Sequence, residues 1–269
     1  MEFINRRIYE EISRKLGVLQ AKGSCRFNYF LDKRHLDHIE KDAILHSYKI
    51  EHPNENITRF SAHINRREKK KGVKNLEKAF RWATTNFSPQ RVTEDYVKEV
   101  AGMTDPDFHN YLPAEYRTIG KKDSRGIEHL SGVRAGQNFT PPYPQKIPGE
   151  MEKFTLELEN IFFDGSLFSL LEGSIYSHLH IARIHPFEDT NGRTARTFQN
   201  SILKYAGLPP PIIYAGERFD YYEHLENACL GHRSRMADPE KKRNSEGESS
   251  FYNYLAGKIS ASLDRALDK

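Results

Sequence analysis

From Leu167 to Tyr205 the chain reads as two apolar-striped helices with only a short polar stretch between them. Phe168, Leu171, Ile175, Leu179 and Ala182 recur at intervals of three or four, the spacing that puts side chains on one face of a helix. Past the break, Thr194, Phe198, Ile202 and Tyr205 repeat the pattern, and Gly207 followed by Pro209, Pro210 and Pro211 stops it. Two such helices have to bury their stripes. The segment predicts a core pair of helices, with the intervening residues held as a loop at their ends.

Helical patterning continues outward from this pair. The sequence predicts helices over Phe3 to Lys22, about Arg34 to Glu51 (with Leu36, Ile39, Ala43 and Ile50 on one face and Pro53 as the stop), Val73 to Thr84, and a further one opened by Thr93 with Glu94 and Asp95 in its first turn. More follow at Met151 to Phe163, near Asp220 to Leu230, and at Ser250 to Leu267, the last two flanking the polar loop ADPEKKRNSEGE. Ala114 to Pro148 differs: it is rich in glycine and proline, with β-compatible pieces in GIEHLSGVRAGQNFTPPYP, and reads as a hairpin or long flap. The fold class expected is mainly α, a helical bundle with one β-hairpin flap. No internal repeat is visible.

Composition narrows the function classes. A net charge of +4 from 41 basic and 37 acidic residues gives no field suited to nucleic acid, and the one basic run, Arg66 to Lys71, is too short to argue for it. Cys25 and Cys229 stand far apart without a CxxC spacing, which favours neither disulfides nor zinc and fits a reducing compartment. The first residues carry charges where a secretory signal needs an apolar run, and no long apolar run follows, so no membrane span and a cytoplasmic location are expected.

The stretch HPFEDTNGRTAR, His185 to Arg196, concentrates the chemistry. Thr190 and Asn191 are in place to cap the second helix, Gly192 allows close backbone approach, and the free N–H groups of a helix start bind anions. Arg193 and Arg196, three apart, are placed to project from one side of the first turn toward phosphate oxygens. Asp189 beside an anion site makes sense as the ligand of a hard cation such as Mg²⁺ bridging to the phosphates. His185 supplies a group that titrates near neutrality, suited to taking a proton from an attacking hydroxyl. Singly, each residue has a plain structural explanation; together they point to phosphoryl or nucleotidyl transfer. Glu188 is given no role, and His178 and His180, two apart on a helix, face different directions and do not form a metal site with His185.

This stretch resembles the signature of Fic proteins, HPFx(D/E)GNGRxxR, with Thr190 where glycine is usual. The resemblance implies a Fic-type helical fold and transfer of AMP from ATP to a hydroxyl side chain (Ser, Thr or Tyr) of a target protein docked on the flap by strand addition. It implies His185 as general base, Asp189 as the Mg²⁺ ligand, Asn191, Gly192 and Arg193 lining the anion hole, and Arg196 holding the γ-phosphate. AEYRT, Ala114 to Thr118, resembles the family's GxYR before its flap, and ERFDYYEHLENA resembles the segment whose tyrosine packs on the nucleotide base, which falls on Tyr222 with Tyr221 in the core. SYKIEHPN resembles the inhibitory pattern (S/T)xxxE(G/N), with Ser47 and Glu51 in place and His52 at the last position. In the family that glutamate pairs with the second signature arginine, here Arg196, as a bidentate carboxylate–guanidinium pair.

The expectation is therefore an adenylyltransferase using ATP and Mg²⁺, held in check by Glu51. A helical region over 1–110 carries the inhibitory motif, and residues 111–269 form the Fic core with its flap and C-terminal helices. A homo-oligomer is compatible with the sequence. The alternatives are the same fold removing AMP or moving another nucleotide or a phosphate, for which Thr190 is the motive, and a non-catalytic module that binds nucleotide or a partner.

Overall fold

The computed structural model describes residues 3–22, 33–52, 67–104, 113–118, 139–238 and 245–268. Its regular elements are helices: α1 (Arg6–Lys22), α2 (Lys33–Glu51), α3 (Arg67–Asn86), α4 (Glu94–Thr104), α5 (Ile147–Ile161), α6 (Leu167–Ile184), α7 (Asn191–Tyr205), α8 (Arg218–Ala237) and α9 (Glu246–Leu267), with short 3₁₀ turns between some of them. No strand occurs among the described residues, and the hairpin expected within Ala114 to Pro148 falls largely on 119–138, outside them.

At the centre, α6 runs through the molecule as the sequence pattern predicts, from Leu167 to Ile184, with Ser166 accepting a hydrogen bond from Ser169 N as its N-cap. It packs along α7, and α5, α8 and α9 close around it. Leu171, Ile175, Leu179, Phe198 and Ile202 are fully buried between these helices. One core cluster extends from Phe3 to Ala266, so both ends of the described chain enter the same interior.

Several helix ends depart from the periodicity for identifiable reasons. Phe3 to Asn5 is not helical because Glu172 of α6 accepts from Phe3 N and Ile4 N at 2.5 and 3.2 Å, drawing the segment onto the core. The Asn5 side chain then caps α1 by accepting from Arg7 N at 2.9 Å. Phe3 stacks on Tyr252 of α9 at 4.4 Å. The end of ADPEKKRNSEGE is helix rather than loop: Ser245 and Glu248 form a reciprocal capping box that starts α9 at Glu246. Thr93 caps α4 as expected, accepting from Tyr96 N at 3.2 Å. Gly207, at φ 75°, ends the α7 segment in the left-handed region that favours glycine.

The second helix, α2, sits differently. Ile39, Ala43 and Ile50 join the main core, whereas Ile44 and Tyr48 form a small separate cluster with Leu76 and Phe80 of α3. Its C-terminal turn, carrying Ser47 and Glu51, lies over the start of α7.

Candidate active site

The site is the turn from α6 into α7. His185 is the C-cap of α6, at φ 53°, ψ 56°, its N–H donating to Ile181 O. A non-glycine residue in this left-handed region is uncommon and is kept there only by its surroundings. The clamp is Arg117. Its Nε donates to His185 O at 2.7 Å, its Nη2 to Pro142 O at 2.5 Å, and its backbone N to Pro186 O at 2.9 Å. Arg117 is buried at 7% exposure, so this contact is an interior one. The AEYRT segment signalled it, but only as the approach to a flap.

The imidazole of His185 is half-buried. Its Nδ1 lies 3.3 Å from Ala182 O, which makes Nδ1 the protonated nitrogen and leaves Nε2 with a free lone pair. Burial pushes the ring's pKa down to about 4, and repulsion from Arg117 adds to that against the opposing pull of the Ala182 carbonyl, Glu51 and Asp189. At neutral pH the ring is uncharged and able to accept a proton.

The loop is closed by Asn191. Its Oδ1 accepts from Phe187 N at 2.9 Å and its Nδ2 donates to Phe187 O at 2.8 Å and Asp189 O at 3.4 Å. Asn191 is thus the clasp of the turn, and the capping role expected for it is not observed. Thr190 does not cap through its side chain either. It stands at φ 72°, which explains why glycine suits this position, and its Oγ1 faces inward, 3.4 Å from Thr194 Oγ1. At 6% exposure its side chain stays inside the fold.

The two arginines diverge where the spacing suggested a common direction. Arg193 donates through Nη1 to Thr104 O at the end of α4, 3.1 Å away, and through Nη2 to Asp189 Oδ2 at 2.9 Å. The Asp189 carboxylate is otherwise exposed, with 77% of its side chain accessible. Arg196 reaches the other way: Nε to Ser47 Oγ at 2.7 Å, Nη2 to Glu51 Oε1 at 2.6 Å and Ser47 O at 3.2 Å, and Nη1 to the Tyr221 hydroxyl at 3.5 Å. The bidentate pair with Glu51 is not formed, because Ser47 occupies the Nε side of the fork. Burial alone would depress the Arg196 pKa, but the Glu51 charge outweighs it and the net shift is upward.

Gly192 makes room for Glu51. A Cβ at this position would stand 2.5 Å from Glu51 Oε1, so the absent side chain is what lets the carboxylate lie over the first turn of α7. That turn favours negative charge through its free N–H groups and the helix dipole. Tyr222 is half-buried beside Tyr221, ring centroids 5.2 Å apart, and burial followed by the Glu51 charge raises its pKa. Tyr221 is buried at 1% exposure. His178 points to Gln199 and Tyr221, while His180 stacks on Tyr176 at 4.0 Å, confirming that the two histidines face apart. Cys229 is a buried free thiol whose pKa burial pushes up to about 12, an inert interior group.

A left-handed histidine closing one core helix, an asparagine-clasped turn and a glycine-cleared helix start opening the next make the α6–α7 junction the candidate site. The model of the Fic/DOC family matches residues 91–203 of this chain. It is 42% identical over 116 residues to the protein adenylyltransferase Fic of Nematostella vectensis, a match taking in 40% of this chain and 27% of that protein. It is 31% identical over 124 residues to the protein adenylyltransferase fic-1 of Caenorhabditis elegans, covering 45% of this chain and 23% of that one. The matches thus span about a quarter of these relatives' length. In fold, nearly the whole chain resembles a Fic domain containing signaling protein from Bacteroides thetaiotaomicron, with a TM-score of 0.67 at 20% identity, covering 96% of this chain and 98% of that one. A weaker resemblance, TM-score 0.51 at 13% identity, covers 95% of this chain and 70% of the IbpAFic2 chain solved in complex with adenylylated Cdc42. No helix among the described residues is long and apolar enough to cross a membrane.

Proposed function

We propose that this protein transfers AMP from ATP to a hydroxyl of a target protein and that Glu51 holds the activity in check. The observation that carries the proposal is the position of Glu51: its carboxylate lies over the start of α7 and is bonded to Arg196 at 2.6 Å, where the phosphates of a nucleotide would sit. The Fic domain and the relatives named adenylyltransferases supply the reaction class.

In the reaction, the target hydroxyl attacks the α-phosphorus of ATP. Its proton passes to His185 Nε2, a new O–P bond forms, and the bond to the bridging oxygen breaks to release pyrophosphate. The neutral ring and its Nδ1–H contact to Ala182 suit His185 to accept that proton. The anion seat is the N-terminal turn of α7 with Asn191, Gly192 and Arg193, and Arg196 takes the γ-phosphate once Glu51 has left. Asp189, one exposed carboxylate next to this seat, fits Mg²⁺, which commonly takes one or two protein carboxylates plus phosphate oxygens and would neutralise developing charge there. Tyr222 packs against the base. In this reading residues 1–110 carry the regulatory helix and 111–269 the catalytic core. The flap expected within Ala114 to Pro148, which falls largely outside the described residues, would take the target's backbone as an added strand and present a Ser, Thr or Tyr hydroxyl. The structure of IbpAFic2 with adenylylated Cdc42 is a precedent for a protein target. A buried thiol at Cys229 is compatible with a cytoplasmic setting.

The inward turn of Thr190 supports an unaltered anion seat, which favours AMP transfer over the phosphate-transfer alternative. Incubating the Glu51→Gly variant and a lysate with α-labelled or γ-labelled ATP separates the two. The α label alone should reach protein and His185→Ala should abolish it. Label from the γ position alone would reject the reaction.

A further inference from the structure

Behind Arg196 runs a chain of buried polar groups that the chemistry above does not use. His178, 0% exposed on α6, has both ring nitrogens engaged: Nδ1 lies 2.6 Å from Gln199 Oε1 and Nε2 lies 2.8 Å from the Tyr221 hydroxyl. That hydroxyl is in turn 3.5 Å from Arg196 Nη1. The direction of every bond follows from what each group can do. A guanidinium only donates, so the Tyr221 oxygen accepts from Arg196. The single phenolic proton then goes to His178 Nε2, which must carry the lone pair. Nδ1 therefore holds the ring proton and gives it to Gln199 Oε1. Burial keeps the ring neutral, pushing its pKa down to about 3, so a second proton does not reverse the relay. With Oε1 committed, Gln199 Nε2 is left without a protein partner, as is Asn200 Oδ1. Gln199 and Asn200 border, with Ser47 and Arg196, a space of ≈ 10 Å³, room for one water that would accept from the first and donate to the second.

The arrangement matters because of which helix each partner belongs to. Ser47 and Glu51 both lie on α2, so three of the four hydrogen bonds that Arg196 makes to Ser47, Glu51 and Tyr221 depart if α2 does. Tyr221, on α8, stays. We infer that Gln199, His178 and Tyr221 form a fixed relay that positions the Arg196 guanidinium when Glu51 withdraws, so that it meets the γ-phosphate already oriented. His178 and Tyr221 are positioning residues; neither touches substrate. The inference rests on the proposed phosphate role of Arg196.

Two measurements test it. Nitrogen-15 NMR of the histidine rings in the intact wild-type protein should show His178 as the Nδ1–H tautomer with Nε2 unprotonated, and the opposite tautomer would overturn the relay. Calorimetry would then compare ATP with AMP on Glu51→Gly, Glu51→Gly/Tyr221→Phe and Glu51→Gly/His178→Phe. The double variants should lose about fivefold in ATP affinity, the effect of one modest hydrogen bond, while AMP affinity stays unchanged. Tyr221→Phe keeps the ring and so guards against loss of folding in the histidine variant. Equal losses for ATP and AMP, or no loss for either, overturn the inference while the preference of the parent for ATP stands. If Glu51→Gly itself binds ATP and AMP equally, the phosphate role of Arg196 falls, and this inference with it.

Discussion

Two helices, α6 and α2, pack against α7, which carries Arg196, and they are held in opposite ways. Helix α6, which ends in His185, buries 15 of its 18 residues, so the turn that follows it is fixed by the core itself. Helix α2, which carries Ser47 and Glu51, enters the main core only through Ile39, Ala43 and Ile50, rests its other apolar side on a small separate cluster of Ile44, Tyr48, Leu76 and Phe80, and meets α7 through the Arg196 bonds and the Glu40–Lys204 pair. The difference in support separates the two helices: disturbing α6 should cost folding, whereas disturbing α2 should cost less stability and, under the proposed function, release activity.

Acid should break the α6 side first and most. His178, His180 and His185 lie on α6 or at its end and His232 on α8, and all four have pKa values lowered by burial, to about 3 for His178 and about 4 for His185. The unfolded chain takes up these protons near pH 6.5 while the folded one resists. Stability is therefore complete above that pH and lost as pH falls toward 4, by about 1.4 kcal/mol per pH unit for each histidine involved. Glu248, lowered to about 2 by His232 and Arg235 against the cost of its own burial, extends the loss below pH 4.5. Melting temperatures from pH 7.5 to 4.5 should fall steeply, and a flat profile would contradict these buried neutral rings.

Truncation sharpens the contrast. Ile175→Ala in α6 should cost about 3–4 kcal/mol in chemical denaturation without raising transfer, whereas Leu76→Ala under α2 should cost about 2 kcal/mol and raise transfer by loosening Glu51. Smaller again is Ser47→Ala, which leaves Arg196 Nε without its 2.7 Å acceptor. It should cost about 1–2 kcal/mol and raise transfer severalfold. The smallest effect is a gain: Thr190→Gly relieves a β-branched residue at φ 72° and should stabilise by about 1 kcal/mol, read as a small rise in melting temperature.

Much of this was legible in the sequence. The bounds of α6 follow from an uninterrupted stripe, because a helix buried nearly all round has no freedom to end elsewhere. The four-residue spacing of Ser47 and Glu51 places both on one helical face, and both reach Arg196. What the sequence concealed are contacts between distant segments. Arg117 fixes the His185 carbonyl from 68 positions away, and Glu172 draws in Phe3 and Ile4 from the far end of the chain. Asn191 read as a helix cap because its amide chemistry suits one. Only the fold of the turn shows that amide spent on Phe187 instead. The pairing of Arg193 with Asp189 was hidden for a similar reason, since both were read as facing a ligand rather than each other.

The central claim is that Glu51 and nucleotide compete for Arg196. Its most direct test is the rate of protein labelling from α-labelled ATP for wild type, Glu51→Gly and Glu51→Gly/Arg196→Ala. Release of Arg196 should raise labelling at least about tenfold, within the 5- to 150-fold range usual for coupling between sites, and removing the arginine should return it to the wild-type level or below. Equal labelling by wild type and Glu51→Gly, or full labelling without Arg196, would contradict the account.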